Sequence, residues 1–158
     1  MDHKSLFMKL WDKEAVATRK VLARIPEGSD YRPDPKSRTA REIAWVMIVE
    51  EAVLADGLEK RALSWNDRPL PQSMAEVLSA YDTLHAAATK TLQGIPAEAW
   101  EAEVPFLWEG QEVMRAPGYE MAWGFLLDQI HHRGQISTYL RPMGSTVPAI
   151  YGPSADEE

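Results

Sequence analysis

Two side chains that could bind a metal ion or exchange a proton stand one helical turn apart near the C-terminal end of the chain. Asp128 and His132 have the i, i+4 spacing that places two residues on the same face of an α-helix. A carboxylate and an imidazole at this spacing can chelate one divalent ion or share a proton. Metal binding and a self-satisfied Asp128–His132 pair therefore both remain open from these two residues alone.

The segment around this pair predicts a helical face that points into the protein. The residues that recur on that face are Met121, Phe125, Asp128, His132, Gln135 and Tyr139. Because its ends are apolar, we expect Asp128 and His132 to project toward the interior, where an unpaired charge is costly. The polar groups that follow them, Gln135 and Tyr139, are candidates for orienting a substrate.

A third candidate ligand, Glu50, belongs to another helical segment. Its face comprises Ile43, Val46, Met47, Glu50, Leu54 and Gly57, of which only Glu50 is charged. The adjacent Glu51 indicates that the outer face also carries acid, so Glu50 is either buried in the stripe or reaches solvent at its edge. A buried Glu50 would complete a two-carboxylate, one-histidine set, which suits Zn, Ni, Mn or Fe(II) and leaves positions open for water or substrate.

The other aromatic and imidazole side chains give weaker signals. His85 has no charged partner in view on its own helix, which favours a polar surface role. Of the six tryptophans, those that are candidates for the mouth of a pocket are Trp45, Trp108 and Trp123. The sequence contains no P-loop, G-x-S-x-G or dinucleotide-binding motif.

The composition restricts the classes of partner. The 158 residues, 45% hydrophobic and 26% charged, fit a single domain over residues 1–158. The absence of cysteine excludes disulfides, thiolate metal ligands and cysteine nucleophiles. A net charge of −7 repels phosphate, so we expect neither nucleic-acid nor membrane partners. The charged N-terminus is unlike a signal peptide and no apolar run reaches about 20 residues, so we expect a cytoplasmic protein.

Four segments with helical periodicity position the candidate residues. They are predicted at residues 4–25, 39–62, 73–94 and 119–141. The second and third open with capping-box patterns, Thr-Ala-Arg-Glu and Ser-Met-Ala-Glu, and proline or glycine residues follow the helices. Four amphipathic helices of similar length predict an all-α four-helix bundle.

The stretch between the third and fourth helices has a different character. AEVPFLWEGQEVMRA, residues 102–116, has β-favouring residues on both sides of Glu109-Gly110, which predicts an irregular excursion or a short hairpin. After the last helix the tail is extended. We expect it to pack on the bundle through Ile150 and Tyr151.

Two stretches of the sequence resemble a known family. HHRGQISTYLRPMG at residues 131–144, followed by VPAIYGPSADE, resembles the C-terminal signature of DinB/YfiT-like proteins, and TAREIAWVMIVEE in the second helix resembles that family's other marked segment. The resemblance covers most of the chain. It implies an up-down-down-up four-helix bundle, often a homodimer, in which residues 61–72 cross the bundle at up to about 3.3 Å per residue.

The resemblance also implies a metal site. Family members commonly hold a metal with three histidines, at positions that become Val46, Asp128 and His132 here, so only one histidine is kept. Glu50, one turn after Val46, can replace the missing ligand. Some relatives are thiol-dependent transferases or isomerases that use the metal to activate a low-molecular-weight thiol such as mycothiol or bacillithiol.

Two classes of function follow. The first is a metal-dependent, thiol-dependent transferase or a hydrolase, in which one divalent ion at Glu50, Asp128 and His132 lowers the pKa of a bound thiol or water. The other residues expected to line the site are Val46, Gln135, Tyr139 and Trp45. The second is a metal-free, non-catalytic bundle, in which Asp128 and His132 pair and the protein binds a small molecule or acts through a dimer interface.

Overall fold

The computed structural model describes residues 1–158 and is mostly helical. Its helices are α1 (His3–Leu22), α2 (Ala40–Lys60), α3 (Met74–Gly94), α4 (Ala97–Glu101) and α5 (Gly118–Leu140). Its strands are β1 (Leu63–Ser64), β2 (Glu103–Trp108) and β3 (Gln111–Pro117). The four long helices pack on one another, and none of the helices combines the length and apolar character needed to span a bilayer.

Two helices begin at capping boxes that could be recognised in the sequence. At the start of α2, the Glu42 amide donates to Thr39 Oγ1 at 3.3 Å, and the Thr39 amide donates to Glu42 Oε2 at 2.7 Å. Ser73 and Glu76 form the same reciprocal pair at the start of α3. Both predicted capping boxes are therefore confirmed, and the predicted bounds of the four long helices agree to within about one turn.

The expectation of an all-α fold is wrong, because three strands form a small sheet in the order β1-β2-β3. Strands β2 and β3 are antiparallel and correspond to the predicted hairpin, and Glu109 and Gly110 take positive φ values of 49° and 76° at its turn. Strand β1 runs parallel to β2 and was not predicted. Its two residues are too few to show any periodicity.

A glycine in α2 fixes the position of β1. A side chain at Gly57 would place its Cβ 2.4 Å from Cγ and 2.7 Å from Cα of Leu63, and Leu63 is completely buried. Only glycine therefore lets the strand backbone approach the helix this closely. The contact holds β1, the following Trp65 and the paired hairpin beside α2.

The core divides into two apolar clusters. One is centred on aromatic rings: Phe7 lies 5.6 Å from Trp11 and 5.2 Å from Trp100 between ring centroids. The other packs α2 against the second half of α5 and the end of α1, with residues that include Val21, Leu22, Ile43, Met47, Ile136 and Leu140. The tail residue Ile150 packs against this second cluster, as predicted.

The face of α5 that turns inward agrees with the predicted one at its ends, where Met121 and Tyr139 are buried, and differs from it in between. The buried residues include Ala122, Leu126, Gln129, Arg133, Ile136 and Leu140. Asp128 lies at the edge of this face with 51% of its side chain exposed, whereas the His132 side chain is 14% exposed. The expected burial of Asp128 is therefore wrong, because the middle of the inward face follows Leu126, Gln129 and Arg133 instead.

Arg133 can be buried because other elements supply its partners. Its Nη2 lies 2.7 Å from Glu14 Oε2 on α1, and its Nη1 donates to Glu14 O at 3.2 Å. From the tail, the hydroxyl of Tyr151 donates to Glu14 Oε2 at 2.7 Å, although most of the Tyr151 ring is exposed. One buried ion pair thus joins α1, α5 and the tail.

Candidate metal centre

The packing of α2 against α5 brings the three predicted ligands together. Glu50, Asp128 and His132 each offer one ligand atom, and these atoms all lie within 4.8 Å of one another. Glu50 comes from the middle of α2, and the other two come from one turn of α5. Three donors from two rigid helices form a preorganised cluster at the boundary between core and solvent.

Glu50 is the unusual member of the cluster. It is 5% exposed, and its Oε2 is buried without any hydrogen-bond partner. Burial, reinforced by the neighbouring carboxylate of Asp128, raises the pKa of Glu50 to about 9. An acceptor left unpaired inside a protein costs free energy, so this atom is suited to receiving a cation or a proton.

We expect Glu50→Gln to flatten the pH dependence of stability of the metal-free protein. The pKa of the unfolded carboxyl is near its ordinary value of 4.5, whereas the folded one keeps its proton to about pH 9. Wild-type stability should therefore fall as pH rises through that window and then level off. Urea unfolding in acidic, neutral and alkaline buffers with a chelator measures this trend.

The matched control for this prediction is Glu59→Gln, which neutralises an exposed glutamate of the same helix. It should retain the wild-type dependence on pH. An equal decline with pH in wild type and Glu50→Gln would contradict the raised pKa.

A hydrogen-bonded chain on α5 orients the histidine. His132 Nδ1 lies 3.3 Å from Gln135 Oε1, and Gln135 Nε2 donates to the Tyr139 hydroxyl at 3.2 Å. With its proton on Nδ1, His132 donates to Gln135 and turns the lone pair of Nε2 toward Asp128 Oδ2, 3.4 Å away. The Nε2 lone pair and the Asp128 carboxylate oxygen then repel each other. Either a proton or a metal ion between these two atoms removes the repulsion.

These residues fit a divalent ion. Two carboxylates and one imidazole make a mixed oxygen and nitrogen donor set, and Gln135 supplies the outer partner that a ligating histidine usually has. The half-exposed Asp128 gives the cluster access to solvent. Such a set can hold a first-row divalent ion and leave positions for water or substrate.

A pocket of about 430 Å³ opens beside Glu50 and Asp128. Its other wall comes from Trp65, the hairpin and the first half of α5, and four aromatic side chains contribute to it. Trp65 and Trp108 are stacked with centroids 5.8 Å apart, and Phe106 meets Phe125 edge to face at 6.0 Å. The cluster therefore stands at the end of an apolar cavity.

The remaining predicted site residues have varied positions. Val46 is half-buried one turn before Glu50, and Gln135 and Tyr139 support His132 without lining the pocket. Trp45 donates from Nε1 to Arg68 O at 2.9 Å and is not among the lining residues. Of the three tryptophans proposed for a pocket mouth, Trp108 lines it.

A second buried pair was missed in the sequence. Glu51 is 2% exposed and lies 2.9 Å from Nδ1 of His85, so the expectations of an outward Glu51 and an unpartnered His85 are wrong. Burial raises the pKa of Glu51, and the hydrogen bond from His85 opposes that shift. His85 follows Tyr81 by four residues on α3, and this spacing from a buried residue was the signal available.

Comparison with known proteins shows the family to which the chain belongs. The model of the DinB family matches residues 1–158, the whole chain. The chain belongs to the DinB family. Among DinB-like structures, one from Bacillus cereus superposes with a TM-score of 0.75 at 23% identity, covering 92% of this chain and 95% of that one. One from Bacillus subtilis gives 0.70 at 16% identity, covering 97% and 99%.

A relative in sequence extends this comparison. YrdA of Bacillus subtilis, an uncharacterised protein, is 29% identical over 164 residues that span 99% of this chain and 91% of YrdA. Membership of the DinB family and the shared fold are thus established over the full length. The resemblance recognised in the sequence is confirmed.

Proposed function

We propose that this DinB-family protein binds one divalent metal ion through Glu50, Asp128 and His132. The observation that carries the proposal is the buried, unpartnered Oε2 of Glu50 within a cluster whose donor atoms lie within 4.8 Å. An ion there would satisfy this atom and separate Asp128 from the His132 lone pair. The donor set suits Zn, Ni, Mn or Fe(II).

The activity we propose is that of a metal-dependent transferase using a low-molecular-weight thiol, or of a hydrolase. A bound divalent ion supplies Lewis acidity, which lowers the pKa of a thiol or water. Gln135 keeps the proton on His132 Nδ1, and the aromatic wall holds the substrate body and excludes water. The proposal of a thiol co-substrate is supported by the family resemblance, since some relatives use a low-molecular-weight thiol.

We expect untagged protein to carry about one metal ion per chain, and an Asp128→Ala, His132→Ala double variant to lose it. Removing two of the three donors leaves only Glu50, and one carboxylate does not retain a transition metal against dilution. Plasma mass spectrometry on both proteins measures the content. The control variant His131→Ala removes the exposed neighbouring histidine and should leave the metal in place.

Wild-type protein that stays metal-free after incubation with Zn, Ni or Mn would overturn this proposal. That result would favour a non-catalytic bundle that binds a small molecule or a partner. The direct approach of His132 Nε2 to Asp128 Oδ2, at 3.4 Å, favours this second candidate, since a protonated histidine satisfies the pair without metal. Val46, in place of the usual histidine, favours it too.

We also propose that residues 1–158 form one up-down-down-up four-helix domain. Lys4 Nζ donates to Gln93 O at 2.7 Å, which supports antiparallel α1 and α3. The rings of His3 and Tyr119 lie 4.0 Å apart at the starts of α1 and α5, and Glu14 pairs with Arg133 further along both helices, which supports parallel α1 and α5. Gln129 Nε2 donates to Met47 O at 3.4 Å, and a Cβ on Gly118 would lie 3.1 Å from Leu58, which supports antiparallel α2 and α5.

A homodimer is a further part of the proposal. Strand β3 is at an edge of the sheet and carries two exposed apolar side chains, Val113 at 58% and Met114 at 49% exposure. A strand edge presents unpaired N–H and C=O groups, so β3 can pair with a second copy. Light scattering measures the molar mass of the protein in solution, and a mass of two chains would support the homodimer.

A further inference from the structure

The side chains lining the pocket that can carry a charge are all acidic. They are Glu50, Glu120 and Asp128, and the lining includes no lysine, arginine or histidine. We infer that the pocket takes a molecule with an aromatic or similarly flat apolar body and a cationic amine. This inference rests on the proposed function in placing such a molecule, as substrate, beside the metal ligands.

The aromatic wall can contact both the flat apolar body and the cationic amine of this ligand. Trp108 is 47% exposed, although it stacks on Trp65, so part of its ring surface remains available. A flat apolar body gains by covering that surface and the edges of Phe106 and Phe125. The faces of tryptophan rings also attract organic cations, an effect that strengthens as water is excluded.

The wall formed by α5 places carboxylates at both ends of the space. Glu120, Gly124 and Asp128 follow one another at intervals of four residues, so they share a side of the helix that spans about 12 Å at about 1.5 Å per residue. A Cβ at Gly124 would meet no atom within 4 Å, so the volume between the two carboxylates is free. The ligand body fits over Gly124.

A deeply buried, unpartnered acceptor in the same pocket is a second observation that points to a ligand. Glu50 lines the same pocket, is 5% exposed, and has an Oε2 with no partner. When a metal ion occupies Glu50 and Asp128, Glu120 is the carboxylate left for the amine. The amine then lies at the Glu120 end, and the reacting end of the molecule lies toward Asp128.

Three probes that share a ring and differ in charge test the inference: 2-phenylethylamine, 2-phenylethanol and phenylacetate. Calorimetric titrations should give the amine about tenfold tighter binding than the alcohol, with phenylacetate weakest. They are run on protein stripped with a chelator and again after zinc is restored. Glu120→Gln should narrow the difference between amine and alcohol while leaving the binding of the alcohol in place.

Two glycine substitutions on one helix separate the pocket from the rest of α5. Gly124→Leu fills the space and should abolish binding of all three probes. Gly134→Leu, at an exposed glycine whose Cβ also meets nothing within 4 Å, should bind them as wild type does. Thermal unfolding checks that both variants are folded.

The outcomes keep the two proposals distinct. Phenylacetate binding as tightly as the amine, no binding of any probe, or unchanged binding in Gly124→Leu would overturn the inference, whatever the metal content. Preferential binding of the amine by a protein that takes up no metal would support the pocket assignment and overturn the metal-dependent activity.

Discussion

Arg133→Met will lower the free energy of unfolding by about 3–5 kcal/mol, because it leaves the carboxylate of Glu14 buried without its counter-charge. Arg133 is 2% exposed and Glu14 is 8% exposed, so solvent cannot replace the lost partner. The hydroxyl of Tyr151 still donates to Glu14 but carries no charge. Urea unfolding followed by circular dichroism measures the loss.

A double variant separates the cost of an orphaned charge from the value of the pair. Arg133→Met combined with Glu14→Gln should recover much of the stability, since no buried charge remains. Arg133→Lys should fall between wild type and Arg133→Met because it keeps the charge and loses the planar guanidinium. A loss below about 1 kcal/mol for Arg133→Met would mean that the pair behaves like a surface ion pair.

Trp100→Ala will be comparably destabilising, by about 3–5 kcal/mol, through the cavity it opens. The side chain is completely buried, and its ring lies 5.2 Å from Phe7 in the aromatic cluster. It also belongs to α4, directly before the hairpin, so its loss should loosen the pocket wall. The midpoint of urea unfolding gives the loss of stability, and weaker binding of 2-phenylethylamine would report the looser wall.

The control for this prediction is Trp100→Phe. Trp100 Nε1 is buried without a hydrogen-bond partner, so replacing indole by phenyl removes an unsatisfied donor along with part of the ring. Its cost should be well below that of alanine. Equal losses of stability for the two substitutions would contradict this expectation. They would show that removing the unpaired indole N–H brings no gain in stability.

Local signals accounted for most of the helical framework. Capping boxes at Thr39 and Ser73 fixed two helix starts, and the Glu109-Gly110 pair marked the hairpin turn. These features are encoded within a few consecutive residues. Each could be recognised without knowledge of what packs against it.

The errors arose where a side chain depends on a distant partner. Arg133 gave no signal of burial in the sequence, because its partner Glu14 belongs to a different helix. It lies on the buried face of α5, and Asp128 lies at the edge of that face. Glu51 was likewise assigned outward because His85 belongs to another helix.

The candidate site was anticipated in part for the same physical reason. Glu50 was the single charge in an apolar stripe of α2, which made it a candidate ligand but left its burial open until the structure showed it to be buried. The aromatic wall was not anticipated, because it depends on β1, and β1 depends on contact between Gly57 and Leu63. Trp65, Phe106 and Met114 therefore carried no signal as pocket residues.

The candidate ligands and the pocket wall come from different parts of the chain, and this separation affects how such proteins can diverge. The candidate ligands come from α2 and α5, whereas β2 and β3 supply much of the opposite wall from a short connecting segment. The exposed positions of that segment, which include Trp108 and Met114, can change without disturbing the helical core. Descendants of one ancestor could thus acquire new pocket walls by drift and selection in the hairpin while inheriting the same candidate ligands on the helices.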